Sequence, residues 1–143
     1  MKRGVQVSTI MSTNLIKLNA TDTLAKAEQL FRENKIRHIP VMDGNKIIGM
    51  LSYTDLLRIS FAETLDEEDQ MIDVTVYEVF SIEQVMAKNL VCIRPDTLIK
   101  EAAEILATRE FHALPVVESD LLVGIVTTTD LIRYLLNCIE EVC

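Results

Sequence analysis

The chain has 143 residues, 49% of them apolar and 25% charged, with a formal net charge of −8. That length holds one domain or two very small ones, and the composition is that of a folded globular chain rather than a disordered one. The 22 acidic residues outnumber the 14 basic ones, which disfavours nucleic-acid binding, and no apolar run approaches the ~20 residues of a membrane span.

Met1-Lys2-Arg3-Gly4 runs into Val5-Gln6-Val7-Ser8, which is no signal-peptide core. Leu15-Ile16-Lys17-Leu18 is a short strand candidate. Leu24, Ala27, Leu30 and Phe31 then recur at helical spacing. His38-Ile39-Pro40-Val41-Met42 and Lys46-Ile47-Ile48-Gly49-Met50-Leu51 flank turn residues Asp43-Gly44-Asn45, which reads as a hairpin. A second helix is expected to open at Thr54-Asp55, where Thr is a good N-cap and Asp complements the helix dipole. Ser60 to Phe80 follows, with the acidic run Asp66-Glu67-Glu68-Asp69 and a short strand candidate at Val74-Thr75-Val76. The acidic run lacks the glycine and spacing of a calcium loop and reads as a solvated linker. Ser81 and Gln84 form a capping-box pair that opens the next unit.

From there the elements recur. Leu90-Val91-Cys92-Ile93 is again a strand candidate, and Ile99, Ala102, Ile105 and Leu106 carry a helical stripe. Ala113-Leu114-Pro115-Val116-Val117 and Leu121-Leu122-Val123-Gly124-Ile125-Val126 flank Glu118-Ser119-Asp120, and a last helix opens at Thr129-Asp130. Displacing the sequence by 75 positions aligns Met11 with Met86, Asn14-Leu15 with Asn89-Leu90 and Ala27 with Ala102. It also aligns Pro40-Val41 with Pro115-Val116, Gly49 with Gly124, Thr54-Asp55-Leu56 with Thr129-Asp130-Leu131, and Arg58 with Arg133. These eleven identities need no gap. The chain is therefore two β-α-β-β-α units of α+β (or α/β) class. Each is marginal alone, so the expectation is that they pack together about a pseudo-twofold axis. The expected division is 1–60, an acidic linker 61–80, and 81–143.

The sharpest chemical feature is the pair Gly49-Met50-Leu51-Ser52-Tyr53-Thr54-Asp55 and Gly124-Ile125-Val126-Thr127-Thr128-Thr129-Asp130, each at a strand-to-helix junction. Glycine lets another group approach the backbone, and free N–H groups of the first helical turn favour an anion. An Asp three residues after a hydroxyl can accept two hydrogen bonds from a vicinal diol such as ribose. Charge-assisted bonds of that kind contribute about 1.5–3 kcal/mol each. The alternative is that Thr54 and Asp55 only cap a helix.

The repeated pattern resembles the cystathionine-β-synthase-like (CBS) domain, and its duplication resembles a CBS pair, or Bateman module, from about Ser8 to Leu135. Pro-Val after the first helix, Gly before the hydroxyl and Asp-Leu at the end carry the likeness in both copies. Chains of this kind resemble stand-alone bacterial CBS pairs, including those similar to acetoin-utilisation regulators. The resemblance implies a regulatory, non-catalytic module that binds AMP, ADP, ATP or S-adenosylmethionine in clefts between the two repeats. It implies that Asp55 and Asp130 hold ribose hydroxyls, with Ser52, Thr54, Thr127 and Thr129 on ribose or phosphate. The backbone around Lys17 and Cys92 would line the adenine pocket with Ile39 and Leu114.

The residues before each Pro, where the family often contacts phosphate, are Arg37-His38 in one copy and His112-Ala113 in the other. One site thus has a permanent cation and the other only a titratable imidazole. The competing reading puts Arg37 on a solvated helix end and makes His38 an ordinary strand residue. His38 and His112 are out of register by one position, so a shared metal site is not expected. Three cysteines with no C-x-x-C fit a reducing, cytoplasmic setting, and Cys92 reads as a small core residue rather than a nucleophile. No required cofactor and no catalytic triad or phosphate-binding loop is indicated. The mean hydropathy of +0.23 suggests surface buried between subunits. Apolar faces with Leu56, Leu57 and Phe61, and with Leu131, Leu135 and Ile139, are the expected homodimer contacts. Regulation would act on a separate effector protein.

Overall fold

The computed structural model describes residues 4–63 and 77–142, with side chains described for 4–60 and 77–140. The acidic run at 66–69, the strand candidate at 74–76, Cys143 and the side chain of Phe61 lie outside these residues. The elements in order are a 3-10 turn at Val7–Thr9, β1 (Leu18–Asn19), α1 (Leu24–Asn34), β2 (His38–Asp43), β3 (Lys46–Ser52) and α2 (Tyr53–Glu63). They continue with α3 (Ile82–Val85), α4 (Ile99–Thr108), β4 (Ala113–Glu118), β5 (Leu121–Thr127) and α5 (Thr128–Val142). The class is α+β.

The hairpins form where apolar β-rich runs flank turn residues. β2 and β3 pair antiparallel from His38↔Ser52 to Asp43↔Lys46, with a bulge between Val41 and Met42. β4 and β5 pair from Ala113↔Thr127 to Glu118↔Leu121, with the matching bulge between Val116 and Val117. The two turns differ in chemistry. Gly44 takes the positive φ of the first, whereas Ser119 (φ 50°) and Asp120 (φ 64°) both hold left-handed conformations in the second. Two positive φ angles are what a type I′ turn requires, and Asn-Gly meets that need with least strain. Replacing Ser119-Asp120 by Asn-Gly should therefore stabilise the chain by about 1 kcal/mol. The check is a higher urea midpoint at unchanged m-value.

The predicted helical stripes are the buried ones. Leu24, Ala27 and Phe31 face inward on α1, and Thr23 caps it by accepting the Lys26 N–H at 3.1 Å. Ile99, Ala102 and Leu106 face inward on α4. The predicted first strands are mostly extended chain. Only Leu18–Asn19 pairs with β2, in parallel, and the other copy has a single parallel bridge, Ile93↔Val116. Two residues of partnership are too few to define the four-residue strands expected at Leu15–Leu18 and Leu90–Ile93.

The compact units are cut differently from the sequence repeats. A first unit comprises Ile16–Asn89, and a second comprises Met1–Leu15 with Leu90–Cys143. Each unit thus takes the lead-in segment of the other repeat. In the first, Met50 and Ala87 exchange backbone hydrogen bonds at 3.0 and 2.9 Å, adding an antiparallel contact on the free edge of β3. In the second, Ser12 and Ile125 do the same at 2.9 and 3.0 Å on β5. The methionines aligned by the repeat lie beside these edges. Met86 lies over Gly49 and Met11 over Gly124, where any Cβ would collide with the thioether. Leu18, Leu24, Ile39, Leu51, Leu56 and Ile82 centre one core; Val7, Leu114, Val116 and Val126 centre the other.

Two placements on the last helices correct the expected apolar face. Leu56 is fully buried in the core of the first unit, and Leu131 is half-buried against that of the second. The exposed stripe on α5 is instead Ile132, Leu135, Leu136 and Ile139, spaced i, i+3, i+4, i+7, with Leu57 exposed on α2.

Candidate functional site

Each site grows from the end of a hairpin. β3 ends at Ser52 and the chain turns directly into α2; Ser52, rather than Thr54, is the N-cap. Its Oγ accepts the Asp55 N–H at 3.0 Å, and Asp55 Oδ2 accepts the Ser52 N–H at 3.2 Å. In the second unit Thr127 Oγ1 accepts the Asp130 N–H at 3.2 Å, and Asp130 Oδ2 accepts the Thr127 N–H at 2.9 Å. These are reciprocal capping boxes with Asp in the third helical position. The helix therefore starts one residue before Thr54 and Thr129, which are exposed within the first turn. Of the two readings of this motif, the structure shows the capping role directly. It also shows that each carboxylate spends only Oδ2 on the cap.

The residue preceding each hairpin joins the same end. The Arg37 carbonyl accepts the Tyr53 N–H at 2.8 Å, and the His112 carbonyl accepts the Thr128 N–H at 3.0 Å. With His38 paired to Ser52 and Ala113 paired to Thr127, the structure gathers Arg37, His38, Ser52, Thr54 and Asp55 at one helix start, and His112, Ala113, Thr127, Thr129 and Asp130 at the other. Arg37 and His112 are exposed; Asp55 and Asp130 are half-buried. Lys17, exposed, immediately precedes β1, which runs alongside β2.

Two expected lining residues are placed differently. Ile39 and Leu114 are fully buried in the cores of their units. Cys92 is exposed rather than a core residue, because the strand expected there is absent. Partial desolvation of its sulfur nonetheless pushes the thiol pKa up, so it remains protonated at neutral pH and is a poor nucleophile. Among the described residues no group of three His, Cys, Asp or Glu side chains is placed to hold a metal.

One participant was missed in the sequence. Arg58 Nη1 lies 3.8 Å from Asp55 Oδ1, the oxygen that the cap leaves free. The signal was available, since Arg58 and Arg133 are among the eleven identities. A separate open cavity of about 790 Å³ in the first unit, lined by Asp22, Thr23, Phe80, Ser81 and others, includes none of the predicted site residues.

With this geometry in place, the chain can be set beside known proteins. The CBS domain family model matches residues 7–62 and 82–137. The chain belongs to the CBS domain family. The Vibrio cholerae protein AcuB, whose name refers to acetoin utilization, has 30% identity and a TM-score of 0.76, with 95% of this chain and 93% of that one covered. CBSX2 in complex with AMP is 24% identical (TM-score 0.76, 94% and 98% covered). The CBS pair of MJ0100, in complex with 5′-methylthioadenosine and S-adenosylmethionine, is 22% identical (TM-score 0.75, 94% and 98% covered). These two share the fold. The chain spans only 23%, 32% and 36% of the length of three curated relatives that it matches, proteins with more chain than a CBS pair. Among the described residues, no helix of this CBS pair is long and apolar enough to cross a membrane.

Proposed function

We propose that the chain is a cytoplasmic regulatory module that senses an adenosine-containing ligand, AMP, ADP, ATP or S-adenosylmethionine, at the helix starts of its two repeats. One observation carries the reading. Asp55 and Asp130 are each pre-oriented at a helix N-terminus by a capping box that uses only Oδ2, with Oδ1 of Asp55 in a long, exposed ion pair with Arg58. A ribose diol would donate to that oxygen. A phosphate would meet Arg37, with Thr54 and the first-turn N–H groups. The adenosyl ligands named for CBSX2 and MJ0100 support the choice of ligand class. A ligand regulates only if it binds one arrangement of the module better than another, so the readout would be a shift in affinity for a separate effector protein.

The test is calorimetry and thermal melting against AMP, ADP, ATP and S-adenosylmethionine. A ligand at 100 times its dissociation constant should add about 2.7 kcal/mol of stability. No stabilisation by any of them at millimolar concentration would overturn the reading. The two copies should also differ. Arg37→Ala should weaken AMP more than adenosine, by about tenfold for one lost charged contact, while His112→Ala, which removes no permanent cation, should change the AMP-to-adenosine ratio less. Equal losses in both variants would remove the asymmetry.

A second reading is a structural, dimer-forming module without a ligand. The apolar stripe of Ile132, Leu135, Leu136 and Ile139 favours a homodimer, since four large exposed apolar side chains on one helix face are uncommon on a monomer. A homodimer is compatible with ligand binding as well, and it is part of the proposal. Leu136→Glu should convert it to a monomer in sedimentation.

A further inference from the structure

The two repeats bring the same elements to their helix starts but not the same charges. In the first unit β1 runs parallel to β2, with Leu18 opposite Val41, and β3 returns antiparallel, with Ser52 opposite His38. Lys17 precedes β1, Lys35 and Arg37 precede β2, and α2 starts directly after Ser52, so all of these lie at one end of the sheet. The second unit repeats the arrangement. The bridge Ile93↔Val116 is parallel and Ala113 pairs with Thr127, so Cys92, Glu110, His112 and the start of α5 share the corresponding end.

The 75-residue displacement places Lys17 on Cys92, Lys35 on Glu110, Arg37 on His112 and His38 on Ala113. Arg58 and Arg133 are common to both copies, as are Asp55 and Asp130. Only Asn34 on Arg109 adds a cation to the second copy. The start of α2 is thus flanked by Lys17, Lys35, Arg37 and Arg58 against the carboxylate of Asp55. The start of α5 has Arg109 and Arg133 against Glu110 and Asp130, with the imidazole of His112. Lys17, Lys35 and Arg37 are exposed and form no ion pair among the described residues, so their charge is available to a ligand.

We propose that the two helix starts select different adenosyl ligands, the first an adenosine polyphosphate and the second an adenosyl group without phosphate. The inference rests on the adenosyl reading and assigns a ligand class to each copy. A triphosphate carries several negative charges, and cations within a Debye length, about 8 Å at physiological salt, add their attraction. Lys17, Lys35 and Arg37 supply that field at the start of α2. At the start of α5 Glu110 opposes it, and a thiol and an imidazole stand where the first copy has an ammonium and a guanidinium. A ligand without phosphate loses nothing there. Asp130 Oδ1 has no ion pair among the described residues, so the ribose diol meets it without a competing cation. The two ligands can then occupy one chain together.

The experiment is calorimetry of the full chain with ATP and with adenosine, each site read alone. Asp130→Asn weakens the second site and isolates the first; Asp55→Asn does the reverse. With Asp130→Asn, ATP should bind about a hundredfold tighter than adenosine, about tenfold for each of two charged contacts. That preference should fall severalfold from about 0.05 M to about 0.5 M salt. With Asp55→Asn, adenosine should bind at least as tightly as ATP at either salt concentration. Cys92→Lys with His112→Arg should carry an ATP preference of about tenfold into the second site, and Lys17→Cys with Arg37→His should remove it from the first. All four positions are exposed, so these variants should melt as the parent chain does. Equal ATP-to-adenosine ratios at the two sites, or exchanges without effect, overturn the partition and leave the adenosyl reading standing. No binding of ATP or adenosine also overturns it, and if AMP, ADP and S-adenosylmethionine fail as well, the adenosyl reading falls with it.

Discussion

Gly124→Ala should cost the chain about 1–3 kcal/mol, the usual penalty for an added methyl where the packing cannot yield. A Cβ at Gly124 would stand 2.6 Å from Met11 Sδ, 3.0 Å from Met11 Cγ and 3.1 Å from the Ser12 carbonyl oxygen. The last contact matters most, because Ser12 is bonded to Ile125 in both directions and its backbone cannot retreat without breaking that bridge. At Gly49 the three nearest atoms all belong to Met86, its Sδ, Cγ and Cε. Methionine is flexible, so trimming it should relieve part of the crowding at either site. In a Met86→Ala background Gly49→Ala should cost less than it does in the parent chain, a clear coupling in a double-mutant cycle. In a Met11→Ala background Gly124→Ala should keep part of its penalty. Equal penalties with and without the methionines, measured by urea unfolding, would show that these contacts do not hold the lead-in segments in place.

The lead-in segments also show which parts of the fold could be seen in the sequence. The hairpins and α1 and α4 were legible because their signals are local: turn residues between β-rich runs, and apolar residues every three or four positions. The exchange of lead-in segments was not, since Val5–Ser12 forms one turn of 3-10 helix and two isolated bridges, with no period to read. Leu56 looked like part of an outer face because helical spacing alone cannot say which face meets the core. At the site, the pairing of Asp55 with Ser52 has the same three-residue spacing that identified Ser81 and Gln84. It was obscured by Thr54, an equally good cap by residue type, two positions on. The strand-to-helix turn without an intervening loop decides between them, because only Ser52 keeps extended geometry at the end of β3. Cys92 was misplaced for a related reason: of that apolar run Ile93 bridges to β4 and is buried, whereas Cys92 beside it is exposed.

Asp55→Asn and Asp130→Asn should separate the structural duty of these carboxylates from recognition, and the expected loss of affinity is the largest functional effect in the molecule. The capping box needs one oxygen that accepts a backbone N–H, and the amide oxygen of Asn supplies it. Each variant should therefore stay folded, with a stability loss below about 1 kcal/mol, the typical value of a whole cap. The charge is lost, however, and with it the charge-assisted bonds from a ribose diol to Oδ1. Those are worth about 1.5–3 kcal/mol, so affinity for the adenosyl ligand at the altered site should fall about ten- to a hundredfold. Asp→Ala removes both functions and should show both losses. Arg58 refines the comparison. Its ion pair with Asp55 is long and its side chain 75% exposed, so Arg58→Ala should leave stability nearly unchanged. By freeing Oδ1 from a competing cation it should, if anything, strengthen the grip of Asp55 on a neutral ribose. Full affinity retained in both Asn variants would mean that the carboxylates only start helices, and the ligand reading would have to be given up for the purely structural one.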